Sequence, residues 1–201
     1  MEPVVACADV GSVRAGRFGW YDSLGAYGEL PSTLAARVAA LLDAGSRVAL
    51  GFECPLFVPL PDEELQLGCA RPGEGSRPWS AGAGSGALAT GLVQVVWVLA
   101  QIRASLHEPA PAHTDWASFA SSTVGLYLWE AFVSGGAKGS GHIDDARLAV
   151  SAFQRALPDL AVANAVSCFC PVYSLIGAAL LRTGWSTDPA VLNSACVVIK
   201  A

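Results

Sequence analysis

Charged side chains are scarce in this sequence. Only 14% of its 201 residues are charged, and 17 acidic against 12 basic residues leave a net charge of −5. Because proteins bind nucleic acids largely through Lys and Arg contacts to phosphates, this balance excludes a protein that attracts polyanions over its whole surface. Any contact with nucleic acid requires a local basic patch. The few acidic residues that interrupt apolar runs therefore carry information.

The sequence also lacks the spacing of a zinc site or a disulfide framework. None of its six cysteines forms a Cys-x-x-Cys pair, and its three histidines are scattered and suggest no shared site. Cys7, Cys54 and Cys196 lie in or beside apolar runs, where a free thiol behaves as a small hydrophobic group. The pattern predicts reduced, structural thiols in a cytoplasmic protein.

Features of a signal peptide or a membrane span are missing too. The N-terminal residues have neither a basic region nor a long apolar core. The most apolar long stretch, residues 87–102, is interrupted by Gln94 and Gln101 and is shorter than the ~20 residues that a membrane helix needs. We expect a buried core helix there and no membrane partner.

The order of the apolar segments predicts an α/β domain. Three short strand-like segments come first and suggest an antiparallel meander, and the later strands alternate with helices and should run parallel to the first. The predicted strands cover residues 4–9, 18–22, 27–30, 47–52, 126–132 and 195–200, and the predicted helices run from Pro31, with Ser32 or Thr33 as cap, to Gly45 and over 87–106, 143–157 and 172–182. We expect one domain over residues 1–201, with 158–201 as a C-terminal extension packed on it.

Acidic residues stand at or near the ends of three predicted strands: Asp9, Glu53 and Glu130. The carboxyl ends of neighbouring parallel strands meet in one crevice, where open α/β sheets generally bind ligands. Asp144 and Asp145 open the next helix from a glycine-rich loop, and because adjacent helical residues do not share a face, we expect only one of them to reach that crevice.

Carboxylates gathered in one crevice repel one another, and a divalent cation relieves the repulsion. Oxygen ligands select Mg²⁺ or Mn²⁺, and a pair of such ions can activate water for phosphodiester cleavage. Each acid also fits an ordinary role by itself: Asp9 in a turn, Asp144 and Asp145 at a helix N-terminus, and Glu130 in an ion pair with Lys138 or an arginine. The recurrence at strand ends favours the metal site.

This ordered set of acids resembles the RNase H-like superfamily of the RuvC and integrase type. Residues 9–16, Asp-Val-Gly-Ser-Val-Arg-Ala-Gly, are similar to the opening of YqgF-type Holliday-junction resolvases. Residues 51–56, Gly-Phe-Glu-Cys-Pro-Leu, resemble the acid-x-Pro-Leu segment of a family of predicted RNase H-like nucleases, which more often has aspartate where Glu53 stands. The resemblance spans residues 3–157.

The resemblance implies an RNase H-like mixed sheet and a metal-dependent nuclease that acts on DNA or RNA. It implies that Asp9, Glu53 and one of Asp144 or Asp145 bind Mg²⁺ or Mn²⁺, and that Glu130 is an accessory ligand or orients a base. The loop residues expected to contact the substrate are Ser12, Arg14, Arg71, Arg77 and Lys138.

Two other functions stay open. The turn from Asp9 to Ser12 also resembles the first phosphate loop of the actin, Hsp70 and sugar-kinase superfamily, which suggests an ATPase-like phosphate-binding module. The nucleotide-binding cleft of that superfamily is built from two lobes, and this chain supplies residues for one. A homodimer could supply the second lobe. A non-catalytic protein that keeps the fold is the third possibility, and the acidic net charge favours it.

Overall fold

The computed structural model describes residues 2–133 and 135–201. Its strands are β1 (Val4–Asp9), β2 (Gly19–Asp22), β3 (Tyr27–Gly28), β4 (Arg47–Phe52), β5 (Phe57–Pro59), β6 (Ala112–His113), β7 (Gly125–Phe132), β8 (Val172–Ser174) and β9 (Val198–Lys200). Its α-helices are α1 (Pro31–Asp43), α2 (Gly82–Ser105), α3 (Trp116–Ser121), α4 (His142–Ala156), α5 (Leu160–Ala163) and α6 (Leu175–Thr183).

Seven of the strands form one mixed sheet. Its order is β3-β2-β1-β4-β7, with β6 and β9 both paired to the far side of β7. The meander β1-β2-β3 is antiparallel, and β4, β6, β7 and β9 run parallel to β1. The predicted α/β architecture, an antiparallel meander followed by parallel strands with flanking helices, is therefore confirmed.

The sheet is buried on both faces because its central strands are continuously apolar. Alternate residues of β1 enter different cores: Ala6 and Ala8 pack with residues of α1, α2 and α6, whereas Val5 and Cys7 pack with residues of α4. All six cysteines are free, and Cys7 is among the buried ones. This layered arrangement fixes the strand ends, where the acidic residues lie.

Helix α1 begins two or three residues earlier than its expected caps, Ser32 or Thr33, would place it. Pro31 occupies the first turn and Leu30 is the N-cap, without a side-chain bond. The Thr33 hydroxyl instead donates to the Leu30 carbonyl at 2.8 Å and accepts a bond from Trp20 Nε1 at 3.0 Å. The prediction that Ser32 or Thr33 caps this helix is wrong, because proline needs no amide partner at the first helical position.

Helix α2 is longer than the sequence suggested. It begins at Gly82 rather than near residue 87 and has 24 residues, because a glycine-rich start gives no hydrophobic periodicity to read. Among the described residues it is the one helix long and apolar enough to cross a membrane, by length and composition alone. One side of it, including Val95, Val98 and Leu99, is buried in the core, and Val93 on the other side is 69% exposed.

Short elements were missed in two predicted connections. Within residues 55–86, β5 pairs antiparallel with β8, which lies where the start of a helix was expected. The Ser174 hydroxyl caps α6 by accepting a bond from the Gly177 amide at 3.0 Å, so the helix begins at Leu175. The connection before β7 holds β6 and α3. Ser134, in the loop predicted to be flexible, lies outside the described residues.

Candidate metal centre

Three carboxylates converge at the carboxyl ends of β1 and β4. Asp9 ends β1, Glu53 follows β4, and Asp145 lies in the first turn of α4. One oxygen of each lies within 4.8 Å of the others. Asp9 and Asp145 are each 5% exposed, and the Glu53 side chain is 13% exposed. We call these three residues the carboxylate cluster.

The parallel pairing of β1 and β4 places the first two acids side by side. Ala8 is opposite Phe52, and the amide of the next residue, Glu53, donates to the Ala8 carbonyl at 2.8 Å. The strand register therefore makes Asp9 and Glu53 neighbours. The sequence anticipated this convergence from the recurrence of acids at strand ends.

A glycine admits the third acid. Gly19 of β2 is opposite Asp9, and a Cβ atom at Gly19 would collide with the backbone of His142 and Ile143 at the start of α4. Because only hydrogen is present there, α4 begins directly against the strand. The Nδ1 atom of His142 lies 2.5 Å from Oδ2 of Asp9, which ties the helix start to β1.

Asp144 and Asp145 point in different directions. Asp145 accepts a bond from the Gly139 amide at 2.6 Å, and one of its oxygens lies 3.2 Å from Lys138 Nζ. Asp144 accepts bonds from the Ser140 amide at 3.1 Å and from the Arg147 guanidinium at 2.6 Å. These bonds hold the pKa of Asp144 below its usual range. Of the two candidates, the structure brings Asp145 into the carboxylate cluster.

Burial makes the ionisation of Glu53 and Asp9 costly. It raises the pKa of Glu53 to about 9, with the neighbouring Asp9 adding to the effect and Lys138 opposing it. Burial also raises the pKa of Asp9, whereas its bond to His142 lowers it. The Lys138 Nζ lies 3.6 Å from Glu53 Oε1, and although partial burial lowers the pKa of Lys138, Glu53 and Asp145 raise it overall.

The donor set fits a hard divalent cation. It consists of carboxylate oxygens, the ligands that Mg²⁺ and Mn²⁺ prefer. In the described part of the chain, the buried Oε2 atom of Glu53 has no hydrogen-bond partner, an arrangement that costs free energy unless something else binds it. A cluster of Asp, Glu and Asp that could hold a metal ion is therefore present.

Glu130 lies outside the carboxylate cluster. Its Oε1 binds Arg71 Nη2 at 2.5 Å, and its Oε2 accepts bonds from Arg71 Nη1 at 3.0 Å and from the Leu56 amide at 2.9 Å. Both oxygens of Glu130 are therefore occupied by a buried ion pair. No contact among the described residues supports the expected role of Glu130 as an accessory ligand or base-orienting residue. The ion pair with an arginine, which the sequence left open, is present.

Arg71 is 2% exposed and is held from several sides. Besides Glu130, it binds Glu74 through Nε at 2.9 Å and the Phe57 carbonyl at 3.1 Å. Burial alone would lower the pKa of Arg71, but Glu130 and Glu74 raise it. The guanidinium has no free face for a phosphate in this arrangement. Sequence reasoning missed Glu74, although its position three residues after Arg71 was a readable signal.

The other residues expected to contact substrate are spread around the carboxylate cluster. Ser12 and Arg14 are exposed in the turn that follows Asp9, Lys138 touches the cluster, and Arg77 is half-buried in the loop after β5.

His142, which contacts Asp9, was not predicted because the three histidines are scattered along the sequence. Its position three residues before Asp145 was the available signal.

A cavity of about 250 Å³ opens beside the carboxylate cluster. Asp9, Glu53, Lys138 and His142 line one part of it. Its other lining residues include Arg71, Glu74, Arg77, Trp79, Glu130 and, at the start of α2, Ala83, Gly84, Gly86, Ala87 and Thr90. The cluster is thus accessible from a defined pocket.

Comparisons with protein-family models, with curated proteins and with solved structures found no significant match to this chain. The structure itself shows a mixed α/β sheet with a buried Asp/Glu/Asp cluster at its strand ends. The chemistry of this centre therefore rests on its own geometry.

Proposed function

We propose that the protein is a divalent-metal-dependent hydrolase of phosphodiester bonds in DNA or RNA. The observation that carries the proposal is the convergence of Asp9, Glu53 and Asp145 within 4.8 Å. An acid on the first strand, one after the fourth strand and one on a late helix is also the order that resembles the RNase H-like superfamily. That resemblance and the sheet order of the protein support the same function.

In this proposal Asp9, Glu53 and Asp145 hold the ion. Mg²⁺ or Mn²⁺ held by these residues would polarise a phosphoryl oxygen and lower the pKa of a water bound to it. His142 fixes the orientation of Asp9 through the short contact between Nδ1 and Oδ2. The Gly139 amide fixes Asp145 in the same way. These contacts keep the oxygens in place, and little reorganisation is needed when a substrate binds.

Lys138 has a charge-balancing role. Its ammonium group lies beside both Glu53 and Asp145, so it offsets part of the repulsion among the three carboxylates. Because the Lys138 side chain is 42% exposed, it can also move toward a phosphate in the cavity. Glu53, with a pKa of about 9, must lose its proton when its oxygens bind an ion.

Calorimetric titration with Mn²⁺ tests the metal site directly. We expect the native protein to bind Mn²⁺ and Asp9→Asn to bind it at least tenfold more weakly, because that variant removes a ligand charge. Hydrolysis of labelled single-stranded DNA and RNA should require the metal and fall in the same variant. If the native protein binds no Mn²⁺, or if Asp9→Asn changes neither binding nor hydrolysis, the proposal is wrong.

The same protein preparation separates the two alternatives. Thermal stabilisation by ATP, with no response to DNA or RNA, would favour an ATPase-like module. Binding of a defined protein partner, with no metal response at all, would favour a non-catalytic protein.

A further inference from the structure

The cavity beside the carboxylate cluster has a second wall that the proposed metal chemistry does not use. This wall is the loop of residues 77–80, with Arg77 and Trp79 facing the same space as Asp9 and Glu53. The cavity measures about 250 Å³, below the 300–1,000 Å³ typical of sites for drug-sized ligands. This volume suits one small molecule or one residue of a polymer, and it is too small to enclose a base-paired duplex.

The loop is held rigidly. Trp79 Nε1 donates to the Cys69 carbonyl at 2.9 Å, and the Trp79 amide donates to Glu74 Oε1 at 3.2 Å. Glu74 is fixed in turn by the buried Arg71. A Cβ atom at Gly84 would collide with the Pro78 carbonyl, so this glycine lets the start of α2 pack against the loop. The Trp79 ring is therefore a preformed surface of the cavity.

Arg77 and Arg71 differ in what binds them. Arg71 is saturated by Glu74 and Glu130, whereas Arg77 has no ion pair or side-chain hydrogen bond within residues 2–133 and 135–201. A half-buried guanidinium without an acidic partner in the described residues, in a cavity that carboxylates also line, is suited to an anion. Aromatic rings beside such cations provide stacking surfaces for unpaired bases.

We infer that the cavity binds one unpaired nucleotide of a phosphodiester, with its base on Trp79 and its phosphate between Arg77 and the carboxylate cluster. This inference rests on the proposed phosphodiester hydrolysis and specifies that one nucleotide of the substrate occupies the cavity. That nucleotide is either the terminal nucleotide of a single strand or part of a free nucleotide diester. The low content of Lys and Arg is consistent with a single bound nucleotide, because binding a long polyanion requires many contacts to phosphates.

The reaction on such a substrate is a hydrolysis. The water oxygen forms a bond to phosphorus, the bond from phosphorus to the leaving alcohol oxygen breaks, and a proton from the water ends on that oxygen. The products are a nucleotide monophosphate and an alcohol or a shortened strand. The reaction consumes only water.

Binding without turnover provides the first test. Calorimetry with thymidine 5′-monophosphate and with inorganic phosphate, at a fixed Mn²⁺ concentration, separates base contacts from phosphate contacts. We expect Trp79→Ala to weaken nucleotide binding about tenfold and to leave phosphate binding unchanged, because stacking concerns only the base. Arg77→Met should weaken both. Trp79→Phe, which keeps a stacking ring, should restore nucleotide binding, and Trp97→Ala, on the exposed side of α2, should match the native protein.

Turnover provides the second test. With thymidine 5′-p-nitrophenyl phosphate, Trp79→Ala should lower kcat/KM about tenfold. Hydrolysis of methyl p-nitrophenyl phosphate, which has a methyl group in place of the nucleoside and the same leaving group, should be unchanged. Linear single-stranded DNA that releases mononucleotides from one end identifies the terminal nucleotide as the source. Cleavage of the small diester without that release identifies free nucleotide diesters.

Two results would overturn the inference. One is cleavage of circular single-stranded DNA or of duplex as fast as linear single strands. The other is an equal loss with both small substrates in Trp79→Ala. Failure of the proposed metal-dependent hydrolysis can be told apart from failure of this inference. In the first case the native protein binds no Mn²⁺, whatever the nucleotide titrations show.

Discussion

The two adjacent aspartates at the start of α4 should differ in their effect on Mn²⁺ binding. Asp145 points into the carboxylate cluster, whereas Asp144 binds Arg147 and Ser140 outside it. We expect Asp145→Asn to weaken Mn²⁺ binding at least tenfold, because it removes one of three ligand charges. Asp144→Asn is the matched control and should bind Mn²⁺ like the native protein. Equal effects of both substitutions in calorimetry would contradict this assignment.

The raised pKa of Glu53 has a consequence for stability. Between about pH 4.5 and pH 9 the folded, metal-free protein keeps a proton on Glu53 that the unfolded chain has lost. The free energy of unfolding should therefore fall as pH rises through this range, with a slope of at most ~1.4 kcal/mol per pH unit. Urea unfolding of the metal-free protein at pH 5, 7 and 9 measures it.

Glu53→Gln isolates this contribution, because other titrating groups are common to both proteins. We expect the stability of Glu53→Gln to fall less between pH 5 and pH 9 than that of the native protein. Parallel pH profiles for the two proteins would show that Glu53 titrates normally.

At the scale of elements, the buried chain Glu130–Arg71–Glu74 joins β7 to the loop after β5. Removing its central cation leaves two buried carboxylates without a counter-charge. We expect Arg71→Met to lower the free energy of unfolding by about 3–5 kcal/mol. Arg77→Met, which breaks no ion pair seen in the described residues, should stay within about 0.5 kcal/mol of the native protein. Urea denaturation of the two variants measures the difference, and similar values for both would refute the assignment.

The contact between β2 and α4 should control the geometry of the carboxylate cluster although neither Gly19 nor the backbone that it faces belongs to the cluster. Gly19→Ala places a methyl group against the backbone of His142 and Ile143, so α4 must move away from the strand with Asp145. We expect Mn²⁺ affinity to fall on the order of tenfold although no ligand is changed, as for other supporting contacts around metal sites. Gly86→Ala, where a methyl group meets nothing within 4 Å, is the control. Unchanged Mn²⁺ affinity in Gly19→Ala would show that α4 tolerates the shift.

Long apolar elements were predictable from the sequence and short ones were not. The strands at 4–9 and 47–52 match β1 and β4 because unbroken apolar runs specify buried parallel strands. Strands β5, β6 and β8 have two or three residues each and are held by pairing with distant partners, which no local pattern reports.

The carboxylate cluster was predictable for a similar reason. Strand ends bring Asp9 and Glu53 together once the strands are parallel neighbours. The choice between Asp144 and Asp145 depends on the loop before α4 and on Gly19, and the pairing of Glu130 with Arg71 depends on an irregular loop. Tertiary contacts decide these details, and local sequence does not encode them.

For the whole molecule, the net charge of −5 limits how nucleic acid can bind. If contacts to a strand are confined to a few loop cations such as Arg14, Arg77 and Lys138, the logarithm of the binding constant should fall with the logarithm of salt concentration with a slope of only about −2. Fluorescence titrations of a short single strand at several salt concentrations measure the slope. A slope several times steeper would indicate an extended basic surface.

A homodimer and a cytoplasmic location remain proposals from the sequence. A groove between α2 and α6, lined by residues that include Leu92, Val96 and Tyr173, is apolar and open. Sedimentation of the purified protein over a range of concentrations would measure its oligomeric state.

Lys138 affects whether the newly made chain can fold before a metal ion binds. The chain brings its own ammonium group to the carboxylate cluster, within 3.2 Å of Asp145 and 3.6 Å of Glu53. We therefore expect the protein to fold without a metal ion, unlike small domains whose folding free energy comes from metal binding. A chelator would then halt the proposed hydrolysis and leave the sheet and its helices intact.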